Sequence, residues 1–205
     1  MHLKELVILD LSWSPVTKYS KFWKKISKKV EKLKVLNLQG CRKLHESLDF
    51  PAPINLEILI LRVKKLPLEL AQMKFLKELL IDGTGIKVIY IRKGSLQFLN
   101  KLSACGCEKL KDISTISYLG SLTSLALDGA EKVRVPKTFE FPQKLERLSL
   151  RECRMFDKLP PSIDKLGARG NGPFIHWNHR TTRVSQGIEK FEDAEDGTHS
   201  PTKIS

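Results

Sequence analysis

The 205-residue chain has no apolar run approaching the roughly 18 residues that span a bilayer. Its first residues, Met1-His2-Leu3-Lys4-Glu5, lack the basic region and apolar core of a secretory leader. The glycosylation triplet Asn-x-Ser/Thr is absent throughout. Cysteine is scarce: four residues, at 41, 105, 107 and 153, are too few to staple a chain of this length. These absences argue against a secreted or membrane-spanning protein. Acidic residues are short as well, 23 against 36 Lys plus Arg, leaving a net charge of +13. Divided at Leu166, the first part holds 31 basic and 18 acidic residues and the remainder 5 of each, so the first part carries the whole excess. That excess suits nucleic acid, an acidic partner or plain solubility alike. What is present, 41% hydrophobic and 29% charged residues, suffices for one core.

A repeat organises that hydrophobic content. It has the form L-x-x-L-x-x-L-x-L-x-x-(C/T/S) and first appears as Leu3, Leu6, Leu9, Leu11, Ser14, then as Val30, Leu33, Leu36, Leu38, Cys41. It continues through Pro53, Leu56, Leu59, Leu61, Lys64 and Met73, Leu76, Leu79, Ile81, Thr84. Leu96, Leu99, Leu102, Ala104, Cys107 and Leu119, Leu122, Leu125, Leu127, Ala130 follow, and Pro142, Leu145, Leu148, Leu150, Cys153 close the series. The fourth positions are 27, 23, 20, 23, 23 and 23 residues apart. Of the 28 sites in the first four columns, 26 are apolar, the exceptions being Pro53 and Pro142. Chance at this composition would give about 11 or 12, so the pattern is a property of the chain.

The pattern has a direct physical reading. The L-x-L pair has period two, so both leucines leave one face of a short strand and the residues between them leave the other. One repeat cannot bury its apolar edge alone, whereas the next repeat stacked upon it makes a continuous core. Successive strands then pair in parallel into a curved sheet, with irregular or helical segments behind it. Gly40, Gly83, Gly106 and Gly129 share one position just past the strand, where the chain must turn sharply. The small residues after them (Cys41, Thr84, Cys107, Ala130, and Cys153 in the last repeat) can meet the turn backbone of the neighbouring repeat. Leu66-Pro67 and Leu159-Pro160 punctuate the outer arc.

These residues are a leucine-rich repeat (LRR) signature, predicting an α/β solenoid with a curved parallel sheet on its concave face and short helices or irregular segments on its convex face. Leu33-Lys-Val-Leu-Asn-Leu-Gln-Gly-Cys41 with Leu44, and Leu102-Ser-Ala-Cys-Gly-Cys107 with Leu110, resemble the LRR region of plant TIR-NBS-LRR disease-resistance proteins. The resemblance spans residues 3 to about 166 and implies a non-catalytic, cytoplasmic recognition module without a cofactor, the nucleus being the alternative location. Its implied partner is a protein: a pathogen effector, a host protein, or the nucleotide-binding module of such receptors. The chain departs from them in having neither a TIR domain nor a phosphate loop G-x-x-x-x-G-K-S/T, so it reads as a truncated or fragmentary member. Gly167-Ala-Arg-Gly-Asn-Gly172 has glycines but neither a preceding strand pattern nor the lysine. From Gly167 onward the periodicity stops, and Gly, Asn, Thr, Ser and mixed charge predict a disordered tail to Ser205.

In LRR proteins the functional surface is commonly the concave sheet, whose outward residues line up from strand to strand. The register places Ile8, Asp10, Ser12, Val35, Asn37, Gln39, Ile58, Ile60 and Arg62 there. Glu78, Leu80, Asp82, Lys101, Ser103, Cys105, Ser124, Ala126, Asp128, Arg147, Ser149 and Arg151 follow. Val35, Ile58, Ile60 and Leu80 read either as a contact patch for a protein or as side chains that suit a strand. Lys101, Arg147 and Arg151 suit an acidic surface, but Asp82 and Asp128 lie among them and make the face mixed in sign. The run Lys18-Tyr-Ser-Lys-Phe-Trp-Lys-Lys-Ile-Ser-Lys-Lys29 has three readings. It fits single-stranded nucleic acid, an anionic surface, or a convex helix burying Phe22, Ile26 and Val30. Cys105-Gly-Cys107 has no second pair at zinc spacing, and His176, His179 and His199 sit in the expected tail, so neither metal binding nor Cys–His catalysis is expected.

Overall fold

The computed structural model describes residues 3–17, 19–20, 23, 30–44, 55–155, 159–167 and 174–176. Eight short strands form one sheet: β1 Ile8–Asp10, β2 Val35–Leu38, β3 Ile58–Leu61, β4 Glu78–Leu80, β5 Lys101–Ser103, β6 Ser124–Ala126, β7 Arg147–Ser149 and β8 Phe174–His176. They lie in sequence order, each parallel to the next. The pairing is in the expected register, Leu9↔Leu36↔Leu59↔Leu79↔Leu102↔Leu125↔Leu148. This is the leucine-rich repeat solenoid. Behind the strands run 3-10 turns, among them Arg42–Leu44, Leu68–Gln72, Ser114–Tyr118 and Pro161–Gly167. With only 16 to 20 residues between consecutive strands from β2 to β7 for the whole return path, the described convex side has room for turns of this tighter kind rather than long α-helices.

The inward column does what a stacked core requires. Leu36, Leu59, Leu79, Leu102, Leu125 and Leu148 are all at most 1% exposed. Each stabilises the fold by roughly 1.5–3 kcal/mol relative to exposure. Leu6, Leu9 and Leu11 are only partly buried, because β1 is an end strand of the sheet and has a neighbour on one side. Pro142 is buried like the leucines it replaces, and Pro53 lies outside the described residues.

The glycine column explains how each rung passes to the next. Gly40, Gly83, Gly106 and Gly129 all have positive φ, between 61° and 70°. That backbone turns the N–H of Gly83, Gly106 and Gly129 onto the carbonyls of Cys105, Asp128 and Arg151, at 2.7, 2.6 and 2.8 Å. Trp13 (φ 60°) and Glu152 (φ 59°) stand at the same column in the first and seventh repeats and adopt the same conformation. The turn thus overrides the cost of a Cβ there, about 1–2 kcal/mol. At Gly40 there is a second reason: a Cβ would come within 2.6 Å of the Trp13 ring.

One expectation is amended. Phe174–His176, in the segment read as a tail, continues the sheet as β8, with Ile175 opposite Leu148 and packed on the core. The interval from Leu148 to Ile175 is 27 residues, the same as from Leu9 to Leu36. Residues 168–173 and 177–205 lie outside the described residues.

Candidate functional site on the concave face

The unbroken register brings the outward residues into three columns. The first is Ile8, Val35, Ile58, Glu78, Lys101, Ser124, Arg147, Phe174. The second is Asp10, Asn37, Ile60, Leu80, Ser103, Ala126, Ser149, His176. Beyond the strand ends a third column holds Ser12, Gln39, Arg62, Asp82, Cys105, Asp128 and Arg151. Adjacent rungs are about 4.8 Å apart. The sequence-predicted residues therefore share one surface, and Phe174 and His176 extend it.

Polarity divides this surface. Ile8, Val35, Ile58, Ile60 and Leu80 form an apolar field over β1–β4: Ile8 is 62% exposed and the others are half-buried. The field is contiguous because Val35 adjoins Ile58 on neighbouring strands, as Ile60 adjoins Leu80. At its edge Glu78 pairs with Lys101 at 3.1 Å. Past that pair the face turns polar, with Ser124, Arg147 and Ser149.

Several candidates are committed to the fold. Asp82 Oδ1 accepts from Ser103 Oγ at 2.6 Å and from the Cys105 N–H at 2.8 Å. Asp128 Oδ1 accepts from Ser149 Oγ at 2.6 Å and from the Arg151 N–H at 2.8 Å. Each acid thus fastens the strand end of the following repeat, two rungs joined by one carboxylate. Ser103 is consequently buried. Asp10 plays a related part, accepting from the Ser12 N–H and from Asn37 Nδ2, and the Ser12 bonds hold its carboxyl below the usual range. Arg62 donates through Nε to the Gly83 carbonyl at 3.1 Å. Arg151 reaches His176 Nδ1 at 2.6 Å. Among the described residues, the apolar field, Gln39 and Arg147 are left open for a ligand, while Lys101 is shared with Glu78.

The cysteines are structural in the way their shared column implied. Cys41, Cys107 and Cys153 donate Sγ–H to the carbonyls of Leu11, Ile81 and Leu127 in the preceding repeat, at 3.0, 3.2 and 3.0 Å. Burial pushes the Cys107 thiol up and the Cys153 thiol up to about 11. Cys105, on the concave face, is also raised, first by burial and further by Asp82 and Asp128, against the pull of its Ser103 hydrogen bond. The Cys105, Cys107 and Cys153 thiols stay protonated at neutral pH, the opposite of an activated nucleophile.

The lysine-rich run 18–29 lies largely outside the described residues, including Phe22 and Ile26. Trp23 within it is 3% exposed and donates Nε1–H to the Thr17 carbonyl at 2.7 Å, while Val30 is buried. The apolar stripe named Phe22, Ile26 and Val30 and missed Trp23, the largest apolar side chain in the run.

Among the described residues no helix is long and apolar enough to cross a membrane. No family model matches the sequence, and no curated protein matches it. Solved structures do match. The leucine-rich repeat domain of the type III effector XopL aligns over 72% of this chain and 53% of its own, at 24% identity and a TM-score of 0.61. The Leptospira interrogans LRR protein LIC12759 aligns over 83% of this chain and 49% of its own, at 23% identity and a TM-score of 0.51. The chain spans about half the length of these structures, and the likeness is one of fold.

Proposed function

We propose that the chain is a non-catalytic protein-recognition module that uses no cofactor and binds its partner on the concave sheet. The observation that carries this reading is the apolar field of Ile8, Val35, Ile58, Ile60 and Leu80, an exposed contiguous patch on a preformed surface. A rigid sheet binds without an ordering cost, and the lysines and arginines around it favour encounter with acidic partners. The repeat signature of Leu33–Cys41 and Leu102–Cys107 supports the finer reading: the sensor region of a cytoplasmic immune receptor of the plant TIR-NBS-LRR type. Its ligand would then be a pathogen effector or a guarded host protein, with the nucleotide-binding module of such receptors as a second contact.

The test is a pull-down from extract with wild type, Ile60→Glu and the convex control Tyr118→Glu. A charge at Ile60 should abolish capture of partners that wild type and the control both retain, with circular dichroism unchanged. An identical set of captured proteins for all three would refute the concave site and leave the fold untouched.

A further inference from the structure

The concave face leaves most of the chain's positive charge unexplained, and the convex side gathers part of it in one place. Strand centres Leu59 and Leu79 are 20 residues apart, whereas Leu79 and Leu102 are 23 apart. The third repeat therefore returns by a shorter arc, wound into the 3-10 turn Leu68–Gln72. The fourth returns by a longer, irregular arc in which Gly94 and Leu96 both have positive φ, at 82° and 52°. Two arcs of unequal length cannot stay in contact along their whole course, and between them opens a trough of about 1200 Å³.

Its lining has a definite chemistry. Lys64, Lys65, Lys87, Arg92, Lys93 and Lys109 stand along it, all exposed, and no aspartate or glutamate contributes to the wall. None of the six belongs to an ion pair among the described residues, whereas Lys34, Lys77 and Lys101 elsewhere all do. The floor is apolar, with Leu70, Ile91 and Leu96 buried beneath it. Leu68, Val88 and Tyr90 lie on it at 86, 45 and 67% exposure.

We propose that this trough is a docking site for an acidic peptide segment bearing apolar side chains, contributed by a partner protein. Uncompensated cations lining a cleft with low-dielectric walls focus a positive potential into it. A segment that alternates acids with apolar residues satisfies wall and floor together. Nucleic acid fits less well, since only Tyr90 offers a ring and successive bases need successive stacking platforms. A membrane fits less well too, since the cations and apolar residues stand around a recess of about 1200 Å³ instead of on one flat face. The site is separate from the concave field, so either can fail without the other.

The experiment is fluorescence anisotropy on the full chain. The probe is a fluorescein-labelled peptide alternating glutamate with leucine and phenylalanine. Saturable binding is expected, weakened roughly tenfold or more by Lys87→Glu with Lys93→Glu and by raising salt from about 0.1 to 0.5 M. Leu68→Ser with Tyr90→Ser should weaken it as well, and so should replacing the apolar residues of the peptide with serine. Lys132→Glu, outside both sites, should leave binding unchanged. Unaltered affinity in the Lys87/Lys93 variant would overturn the proposal. Equal or tighter binding of the serine peptide, of oligothymidylate or of phosphatidylserine vesicles would do the same. The chain also carries its own acid-rich stretch, Glu189, Glu192, Asp193, Glu195 and Asp196. Neutralising these five should not change the affinity; a marked tightening would assign the trough to this stretch and overturn a partner in trans.

Discussion

Asp128 would ordinarily be taken for a ligand-binding acid, and its substitution distinguishes that role from a structural one. One oxygen of its carboxylate accepts from the Ser149 hydroxyl at 2.6 Å and from the Arg151 N–H at 2.8 Å. Hydrogen bonds to a charged group contribute roughly 1.5–3 kcal/mol each. Asp128 is half-buried, so water replaces part of what alanine removes, and the expected net loss for Asp128→Ala is about 2–3 kcal/mol. Asp128→Asn keeps an acceptor without the charge and should lose about 1 kcal/mol. For a chain of this size the alanine loss lowers Tm by roughly 5–10 °C. Urea denaturation followed by circular dichroism gives the free energies, and a double-mutant cycle with Ser149→Ala should return a coupling of about 1 kcal/mol. Because each repeat contacts only its neighbours, hydrogen exchange should quicken in β6 and β7 and remain slow in β2 and β3. A loss under about 0.5 kcal/mol, with no coupling to Ser149, would refute the fastening role and return Asp128 to the pool of free concave acids.

Three further outcomes are expected. Leu102→Ala leaves a void at a site with no exposure and should cost about 2–5 kcal/mol by denaturant titration, against under about 0.5 kcal/mol for exposed Lys109→Ala. Glu57, held at about 2 from its usual 4.5 by hydrogen bonds from Lys77 and then Lys34, contributes stability that is complete above pH 4.5. That contribution disappears as pH falls from 4.5 through about 2, because the unfolded chain takes up the proton first, and Glu57→Gln should flatten this part of a stability–pH profile. Iodoacetamide at pH 8 should alkylate half-exposed Cys105 before buried Cys107 and Cys153, each more slowly than a free cysteine; mass-spectrometric mapping that found Cys153 first would contradict its raised thiol and its bond to Leu127.

The sequence by itself determined the solenoid. Leucines spaced three, three and two apart have one way to leave water together, so Leu36 and Leu38 had to point inward and Asn37 outward, and the repeat length set the parallel stacking. The membership of the concave face followed from that alternation alone. The uses of its residues did not. Asp82 and Asp128 reach partners more than 20 positions away, across a rung whose spacing only the stacked backbone provides. β8 escaped notice because Ile175 stands at its centre, where every other strand carries a leucine, and its place is secured by pairing with β7. The trough on the convex side depends on the mismatch of two adjacent arcs, a quantity no single repeat contains. A local pattern fixes which way each side chain faces, whereas what it meets there depends on how neighbouring coils of unequal length settle against one another.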